Sequence, residues 1–503
     1  MDNIKNLKAI TKGAGIILIG MLISKVFAYA YRVILAKYLG PADYGTFSLG
    51  LALVGLLTIF ALAGFPQGIL RFVSYYKGKK DKAGINAIIS LSLKITLISG
   101  IAMAILFALF ANQISIGLFH NLELSKIMYL LAAAIPLGVL VGNLEMITQA
   151  FQAVKYIVIA RNIIEILSKV LITAALLLLG FGLAGSAIAY AASLVISSVL
   201  LFYFLQKKVY AFKIMPDTSR YHLKQMINFS LPLLMYDFML VSILQLDTLI
   251  LGYYKPSSVV GIYNAVTPTA RLVHILPIAL QTLFYPVICS LYARKEPISG
   301  IYKSITKWMV FLSLPITLII AIYSREALTI LFGAEYSAGA FALIIATIGY
   351  FVYALSFTAI NVLGMLKKTK HIFVNKLIAV SANIILNIAL IPNYGLNGAA
   401  LALAAAFIIE TLLIHIEAYY FTKITPFKLS YFSAILAAAI ASAALFALNK
   451  IYEFSSTYSI ILTSAGFIAV YGILLFILPK AVEDEDKEII KSILLKVKNS
   501  LRF

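Results

Sequence analysis

Six basic side chains stand inside long apolar stretches of this 503-residue chain, where no water would solvate a charge. An ionised group near the middle of a bilayer costs about 2.5–3.5 kcal/mol on insertion scales, so such residues usually face a cavity or a partner. Arginine can also bind a phosphate through two parallel hydrogen bonds. The pattern therefore indicates anion binding or ion pairing at Lys25, Arg32, Lys94, Lys169, Arg271 and Lys376.

Two of these arginines belong to polar stripes at helical spacing. Lys25, Tyr29 and Arg32 share one face of the first predicted helix. The stripe on the eighth predicted helix consists of Asn264, Thr267, Arg271, His274 and Gln281. We expect Arg32 and Arg271 to face each other across a water-filled cavity that holds a phosphate. The alternative is buried structural polarity with partners on other helices, and for His274 a ligand or proton role stands beside that structural one.

Acidic side chains inside the predicted helices could bind a coupling Na⁺ or H⁺, or could pair with basic residues; they are Asp247, Asp237 and Glu145. Glu165 and Lys169 are four residues apart and can neutralise each other, which favours a structural role. The sequence contains no phosphate-binding glycine loop and no metal-ligand motif, so no cofactor is expected beyond that ion. Cys289 is the only cysteine, which excludes an intramolecular disulfide.

The helices that would position these charged and polar side chains consist mostly of apolar residues. Hydrophobic residues make up 62% of the chain and charged residues 12%, against roughly a quarter charged in soluble domains. Apolar runs of 20 or more residues can cross a hydrocarbon core as helices. We therefore predict an all-α polytopic membrane protein with about 14 transmembrane helices, at 14–38, 43–66, 85–112, 127–152, 158–180, 184–205, 226–252, 260–289, 308–332, 338–366, 371–392, 397–420, 429–449 and 457–479.

The basic residues orient these helices. With the N-terminus in the cytoplasm, 30 of the 41 Lys and Arg residues fall in inside segments and five in outside loops, as the positive-inside rule requires. Both termini are then cytoplasmic in a multi-pass protein of the cell membrane. The bias also explains the net charge of +21 without a nucleic-acid partner. The segment 480–503 has apolar residues at helical spacing between lysines and predicts an interfacial amphipathic helix.

An internal repeat of six helices indicates two lobes. A shift of 216 residues places Gly45 on Gly261, and a shift of 213 places Gly182 on Gly395. Six is an even number, so both copies enter the membrane in the same direction and a pseudo-two-fold axis along the membrane normal should relate them. The predicted organisation is a cytoplasmic N-terminus at 1–13, an N-lobe at 14–205, a cytoplasmic linker at 206–225, a C-lobe at 226–420, two extra C-terminal helices at 429–479 and the tail.

Several short motifs resemble a known family. They are Leu39-Gly40-Pro41-Ala42-Asp43-Tyr44-Gly45, Asp247 with Gly252, Gly261-Ile262-Tyr263, Leu331-Phe332-Gly333-Ala334-Glu335-Tyr336 and Ile391-Pro392-Asn393-Tyr394-Gly395-Leu396-Asn397-Gly398. Their order and spacing over about 10–480 are similar to those of polysaccharide-biosynthesis flippases in the multidrug/oligosaccharidyl-lipid/polysaccharide exporter superfamily. The resemblance implies a two-lobed exporter that works by alternating access on an oligosaccharide linked to a polyprenyl phosphate or pyrophosphate.

Two other functions compete with this expectation. A cation-coupled drug exporter of the same superfamily would favour acidic cavity walls, against which the basic stripes argue. A membrane glycosyltransferase or polymerase would need a catalytic site, usually in a large extramembrane segment, and no predicted loop exceeds about 20 residues. The sequence therefore favours a flippase, not an enzyme, that acts as a monomer with lipid-linked sugar and membrane lipid as its partners.

Overall fold

The computed structural model describes residues 2–215, 220–426, 430–452 and 457–478, with side chains of the first helix from Ser24 onwards. Within those ranges the chain is almost entirely helical and contains no strand. The predicted fold class is confirmed, since the chain is an all-α polytopic membrane protein. The amphipathic helix predicted at 480–503 lies outside the described residues.

The helices of the N-terminal half end at or near residue 209. They are α1 (Asp2–Leu62), α2 (Phe65–Gly78), α3 (Lys82–Leu109), α4 (Ala111–Gly117), α5 (Leu122–Ala132), α6 (Ala134–Ala150), α7 (Val154–Ile157), α8 (Glu165–Leu178) and α9 (Gly182–Phe204). A π-helix, Val158–Ile164, connects α7 to α8, and a second one, Leu205–Val209, extends α9.

The helices of the C-terminal half begin at Arg220, within the predicted linker 206–225. They are α10 (Arg220–Tyr254), α11 (Ser257–Ala270), α12 (Ile275–Ala293), α13 (Ser299–Ile322), α14 (Ser324–Phe332), α15 (Ala340–Met365), α16 (Thr369–Thr422), α17 (Ser430–Tyr452) and α18 (Thr457–Ile477). Short 3₁₀ turns separate α11 from α12 and α14 from α15.

The helices account for the predicted membrane crossings. Nine helices among the described residues are long and apolar enough to span a membrane, and α5 with α6, bent by 43°, adds a tenth. Two of the nine, α1 and α16, contain a glycine at which the backbone leaves the helical region, and each break separates two predicted spans. The segment from α7 to α8 and the helix α17 lie at the two remaining predicted positions.

Glycine and proline cause the break in α1. Gly40 has φ 74° and ψ 171°, a conformation that glycine adopts without a side-chain clash. Pro41 follows and donates no backbone hydrogen bond. The last turn before the break is braced by Tyr336, whose buried hydroxyl donates to the Ala36 carbonyl at 2.8 Å. Part of the motif at 331–336 therefore supports the end of the first predicted span.

Local geometry follows the repeat at two places. Gly182 and Gly395, matched by the 213-residue shift, both have positive φ, at 48° and 54°. A Cβ on Gly45 would lie 1.8 Å from the Ser257 carbonyl oxygen, and a Cβ on Gly261 would lie 2.0 Å from that of Pro41. Pro41 and Ser257 are also 216 residues apart, so these contacts are reciprocal, as contacts across a two-fold axis are.

The chain divides into two compact units, each with its own packing. The first comprises Met1–Pro268, Leu331–Gly339 and Val380–Leu403, and the second comprises Thr269–Ile330, Ala340–Ala379 and Ala404–Phe503. Residues 226–268, assigned by sequence to the second lobe, pack in the first unit. The lobe boundaries are defined by the repeat and not by packing, so they stay a prediction. In the second unit, α17 and α18 pack against α13 around Phe311, Ala437 and Phe467.

Candidate functional site

The basic stripe of α1 is accessible in the structure. Lys25 and Arg32 are exposed and Tyr29 is half-buried. The Tyr29 ring meets that of Phe332 edge-on at 6.3 Å between centroids. The same helix passes the membrane-crossing criterion on length and composition. Two cationic groups of the stripe therefore lie exposed on a largely apolar helix.

Tyr44 connects this stripe to the first part of the other one. It is 2% exposed, its hydroxyl donates to the Asn264 carbonyl at 3.3 Å, and the Arg32 guanidinium lies beside that hydroxyl. The Asn264 amide in turn contacts Thr248 Oγ1 at 3.2 Å. Thr267 is half-buried one turn further along α11. The fold thus brings Arg32 and Asn264 to one tyrosine, a relation that sequence spacing could not show.

The predicted second stripe is not one continuous helical face. A 3₁₀ turn, Arg271–His274, interrupts the helix at its centre, and the 3₁₀ turn has 3.0 residues per turn in place of 3.6. The division between the two units also falls at this point, after Pro268. The expectation of a regular i, i+3, i+7, i+10 stripe is therefore corrected by the change in helical geometry.

Arg271 and His274 contact the same residue of α15. Exposed Arg271 donates through Nε and Nη2 to the Tyr350 hydroxyl at 3.4 and 3.3 Å. Buried His274 places Nε2 2.7 Å from the Tyr350 carbonyl oxygen and packs against the rings of Tyr353 and Phe357. Arg271 is therefore accessible to a ligand, whereas His274 already forms a buried contact.

Asp247 lies in a shell of neutral polar groups. Its side chain is buried, accepts from the Tyr263 hydroxyl at 2.8 Å and accepts from Asn387 Nδ2 at 2.6 Å. Asn383 lies beside the same carboxylate, and its amide atoms have no hydrogen bond of standard geometry. Asn387 Oδ1 is also buried without a partner. Among the described residues Asp247 makes no ion pair, so the predicted basic partner is not found there.

The other two predicted ion-coupling residues differ from Asp247. Asp237 is half-exposed on α10 and makes no hydrogen bond or ion pair with the residues that the structure describes. Glu145 forms a salt bridge, with its Oε2 3.6 Å from Arg161 Nε. Within the described ranges, no group of three or more His, Cys, Asp and Glu residues could hold a metal ion.

A four-residue charge cluster surrounds the π-helix of the N-terminal half. The predicted Glu165–Lys169 pair forms, with Nζ 3.5 Å from Oε1. Arg161 approaches Glu165 more closely, with Nη1 2.6 Å from Oε2. Arg161 lies near the start of the predicted span 158–180, and the π-helix carries its guanidinium to Glu145 and Glu165. The i, i+4 spacing of Arg161 and Glu165 was the available signal.

The two remaining basic residues within predicted spans have partners. Lys376 is 4% exposed and pairs with Glu410, with Nζ to Oε1 at 2.6 Å, and it also donates to the Tyr353 hydroxyl at 3.1 Å. Lys94 donates to the Met215 carbonyl at 2.6 Å. Sequence spacing missed Glu410 because it is 34 residues from Lys376, beyond the break in α16.

Comparison with known proteins agrees with this architecture. The family described as "Polysaccharide biosynthesis protein" matches residues 10–292. The chain is 25% identical over 419 residues to the "Putative O-antigen transporter" of Shigella flexneri, covering 79% of this chain and 94% of that protein. It is 27% identical over 195 residues to the "Probable low-salt glycan biosynthesis flippase Agl15" of Haloferax volcanii, covering 37% and 39% of the two chains.

Among solved structures, "Lipid II flippase MurJ, inward closed conformation" has the same fold. The TM-score is 0.75 at 17% identity, and the match covers 91% of this chain and 97% of that one. The family match includes most of α1, with the basic stripe, and all of α11, with Asn264 and Gly261. Because the family match spans more than half of the sequence, this chain belongs to the polysaccharide biosynthesis protein family.

Proposed function

We propose that this protein is a flippase that moves an oligosaccharide linked to a polyprenyl phosphate or pyrophosphate across the cell membrane by alternating access. The observation that carries the proposal is the exposure of Arg32 and Arg271 on helices that are otherwise apolar enough to cross a membrane. A guanidinium at such a depth is stabilised when it meets water or an anion. The relatives named as an O-antigen transporter and a glycan biosynthesis flippase support the same substrate class.

The sugar, the phosphate and the polyprenyl chain of such a substrate need different surroundings. An unpaired hydroxyl costs several kcal/mol in hydrocarbon, so the sugar needs an aqueous path. The polyprenyl chain is apolar and can remain in the bilayer. The phosphate between them needs cationic hydrogen-bond donors, and Arg32, Arg271 and Lys25 offer these. Tyr29, Asn264 and Thr267 complete the proposed binding residues as neutral partners, and His274 supports Arg271 through their shared neighbour Tyr350.

Cation coupling is the second part of the proposal, and it rests on Asp247. The carboxylate, the Tyr263 hydroxyl and the amide oxygens of Asn383 and Asn387 form an all-oxygen donor set of the kind that hard cations prefer. Both amide oxygens are buried without a hydrogen-bond partner, and a buried unsatisfied acceptor costs about 1–3 kcal/mol. A bound Na⁺ would satisfy them and neutralise the carboxylate. A proton on Asp247 would neutralise the carboxylate but would leave the two amide oxygens without a partner.

The arrangement in the cell completes the proposal. The protein acts as a monomer in the cell membrane with both termini in the cytoplasm, and it catalyses no covalent reaction. The charge bias of the loops supports the orientation.

Transport of a lipid-linked oligosaccharide in proteoliposomes tests the function. Wild-type protein should move a fluorescent substrate between leaflets, Arg32→Ala and Arg271→Ala should each lose most of the rate, and the corresponding Lys variants should retain more because they keep the charge. Arg325→Ala, at an exposed arginine that belongs to neither polar stripe, is the matched control. Full transport by both Ala variants would exclude the phosphate role. Transport of a cationic dye without transport of the lipid-linked sugar would identify a drug exporter instead.

A further inference from the structure

The charge cluster around the π-helix has a tightly held part and a loosely held part. Glu165 is 7% exposed and accepts from Arg161 at 2.6 Å and from Lys169 at 3.5 Å. Glu145 is 28% exposed and makes no hydrogen bond with the described residues, since its 3.6 Å approach to Arg161 is too long. Glu165 therefore anchors the cluster, and Glu145 is a carboxylate held by charge alone.

Arg161 has an unused donor edge directed toward Glu145. Its side chain is 37% exposed, and its hydrogen bond to Glu165 uses Nη1. The guanidinium has five N–H donors in a fixed plane, and Nε and Nη2 make no hydrogen bond with any described residue. That edge can hold two oxygens of one phosphate. The Glu145 carboxylate is negatively charged like a phosphate, but at 3.6 Å its Oε2 is too far from Arg161 Nε for a hydrogen bond.

The surroundings of the cluster are cationic. Arg32 lies within electrostatic range of Lys169 and Tyr190, and Lys169 Nζ lies over the Tyr190 ring at 4.9 Å. Arg161 and Lys169 balance the two glutamates, so Arg32 leaves one net positive charge. Displacement of Glu145 from the guanidinium would expose more positive charge to an incoming anion. The π-helix, a geometry that often occurs at functional sites, carries Arg161 into this position.

We propose that Arg161 is a phosphate-binding residue of the transport pathway and that Glu145 stands in for the phosphate until the substrate displaces it. The proposal rests on the proposed flippase function and adds to it a residue that the polar stripes did not indicate. While no substrate is bound, the Glu145 carboxylate neutralises the charge of the Arg161 guanidinium at its Nε side. Because Glu145 is held without a hydrogen bond, a phosphate that makes two can replace it.

Binding of undecaprenyl phosphate to the purified full-length protein in detergent tests this assignment. Glu145→Gln removes the competing charge and should tighten binding about two- to fivefold, the equivalent of one partly exposed ion pair. Arg161→Lys keeps a cation beside Glu165 but loses the planar fork, and it should weaken binding about tenfold. Arg161→Lys is preferred to Arg161→Ala because an alanine would leave Glu165 with one partner fewer in a buried site.

The controls separate this inference from the function on which it depends. Glu296→Gln removes an exposed carboxylate 3.4 Å from Arg294 and should leave binding unchanged. Inorganic pyrophosphate should displace the lipid from the wild type, because the phosphate and not the polyprenyl chain is recognised. If the wild type binds no undecaprenyl phosphate, the proposed flippase function is overturned. If the wild type binds and Arg161→Lys does not weaken binding, if Glu145→Gln fails to tighten it, or if pyrophosphate does not compete, only the present assignment is overturned.

Discussion

At the scale of single residues, buried ionisable groups differ in whether their partners are oppositely charged or neutral. Lys376 and Glu410 neutralise each other in a buried site of the second unit. Asp247 is equally buried, but its neighbours among the described residues are neutral amides and a tyrosine hydroxyl. Such groups are costly in a membrane interior, and each arrangement predicts a different response to substitution.

Asp247→Asn should abolish the dependence of transport on Na⁺ or on the proton gradient, because the amide can neither neutralise a cation nor carry the proton. In the wild type, NaCl should raise the thermal unfolding temperature above that in choline chloride if Na⁺ is the ion, and the variant should lose that difference. Asp237→Asn is the control on the same helix, at a half-exposed carboxylate. Unchanged ion dependence in Asp247→Asn would remove Asp247 from coupling.

Lys376→Met should destabilise the protein by about 3–5 kcal/mol, because it leaves the Glu410 carboxylate buried without its cation. The double variant Lys376→Met/Glu410→Leu should recover much of that loss, since it removes both charges. Thermal unfolding of the four proteins of this cycle measures the coupling. A double variant less stable than Lys376→Met would show that the pair is not the reason for the loss.

At the scale of elements, helices meet where glycine lets backbones touch. The second half of α1 and the start of α11 approach through Gly45 and Gly261, and each glycine faces a backbone carbonyl of the other helix. Asn121, at the start of α5, donates to Thr46 Oγ1 at 2.8 Å and to Ser257 Oγ at 2.7 Å. One amide thus connects both helices at the point where the glycines meet.

Gly45→Ala should disrupt this contact, because its Cβ would lie 1.8 Å from the Ser257 carbonyl oxygen and neither backbone can give way cheaply. We expect a loss of about 1–3 kcal/mol in stability or more, as for other overpacked sites, and reduced transport. Gly55→Ala on the same helix is the matched control, since its nearest neighbour would be Gln245 Nε2 at 3.8 Å. Equal thermal stability of the two variants would contradict the close contact.

At the scale of the whole molecule, the distribution of basic residues predicts how the protein is oriented in the membrane. The positive-inside rule applies to short loops near the membrane, and most predicted loops here are short. The two structural units, in contrast, are defined by packing and cut across the predicted repeat. The orientation in the membrane is therefore a separate question from the packing of the helices. Cysteine labelling tests the orientation directly.

Single cysteines in a Cys289→Ser background should show the orientation in intact cells. Lys126→Cys should react with a membrane-impermeant maleimide added outside, because the predicted spans and the charge-based orientation together place this exposed residue in an outer loop. Lys295→Cys should react only after the cells are permeabilised. The reverse pattern would invert the proposed topology and would place both termini outside.

Sequence alone determined the features that depend on local pattern. Apolar runs of fixed length gave the helical membrane fold, the loop charges predict its orientation, and the repeat register anticipated the matching conformations of Gly182 and Gly395. These follow from hydrophobicity, charge and backbone freedom, which each residue carries with it. Six basic residues were likewise singled out because the cost of an unpaired charge in lipid can be judged from the residue type alone.

Only the tertiary structure decided what those residues contact. It placed Glu410 on Lys376, the amides of Asn383 and Asn387 beside Asp247, and Arg161 between Glu145 and Glu165. It also interrupted the stripe of the eighth predicted span with a 3₁₀ turn that no periodicity indicated. The physical reason is that a buried polar group is satisfied by whatever donor or acceptor the packing of distant helices brings within about 3 Å, and sequence spacing does not encode that distance.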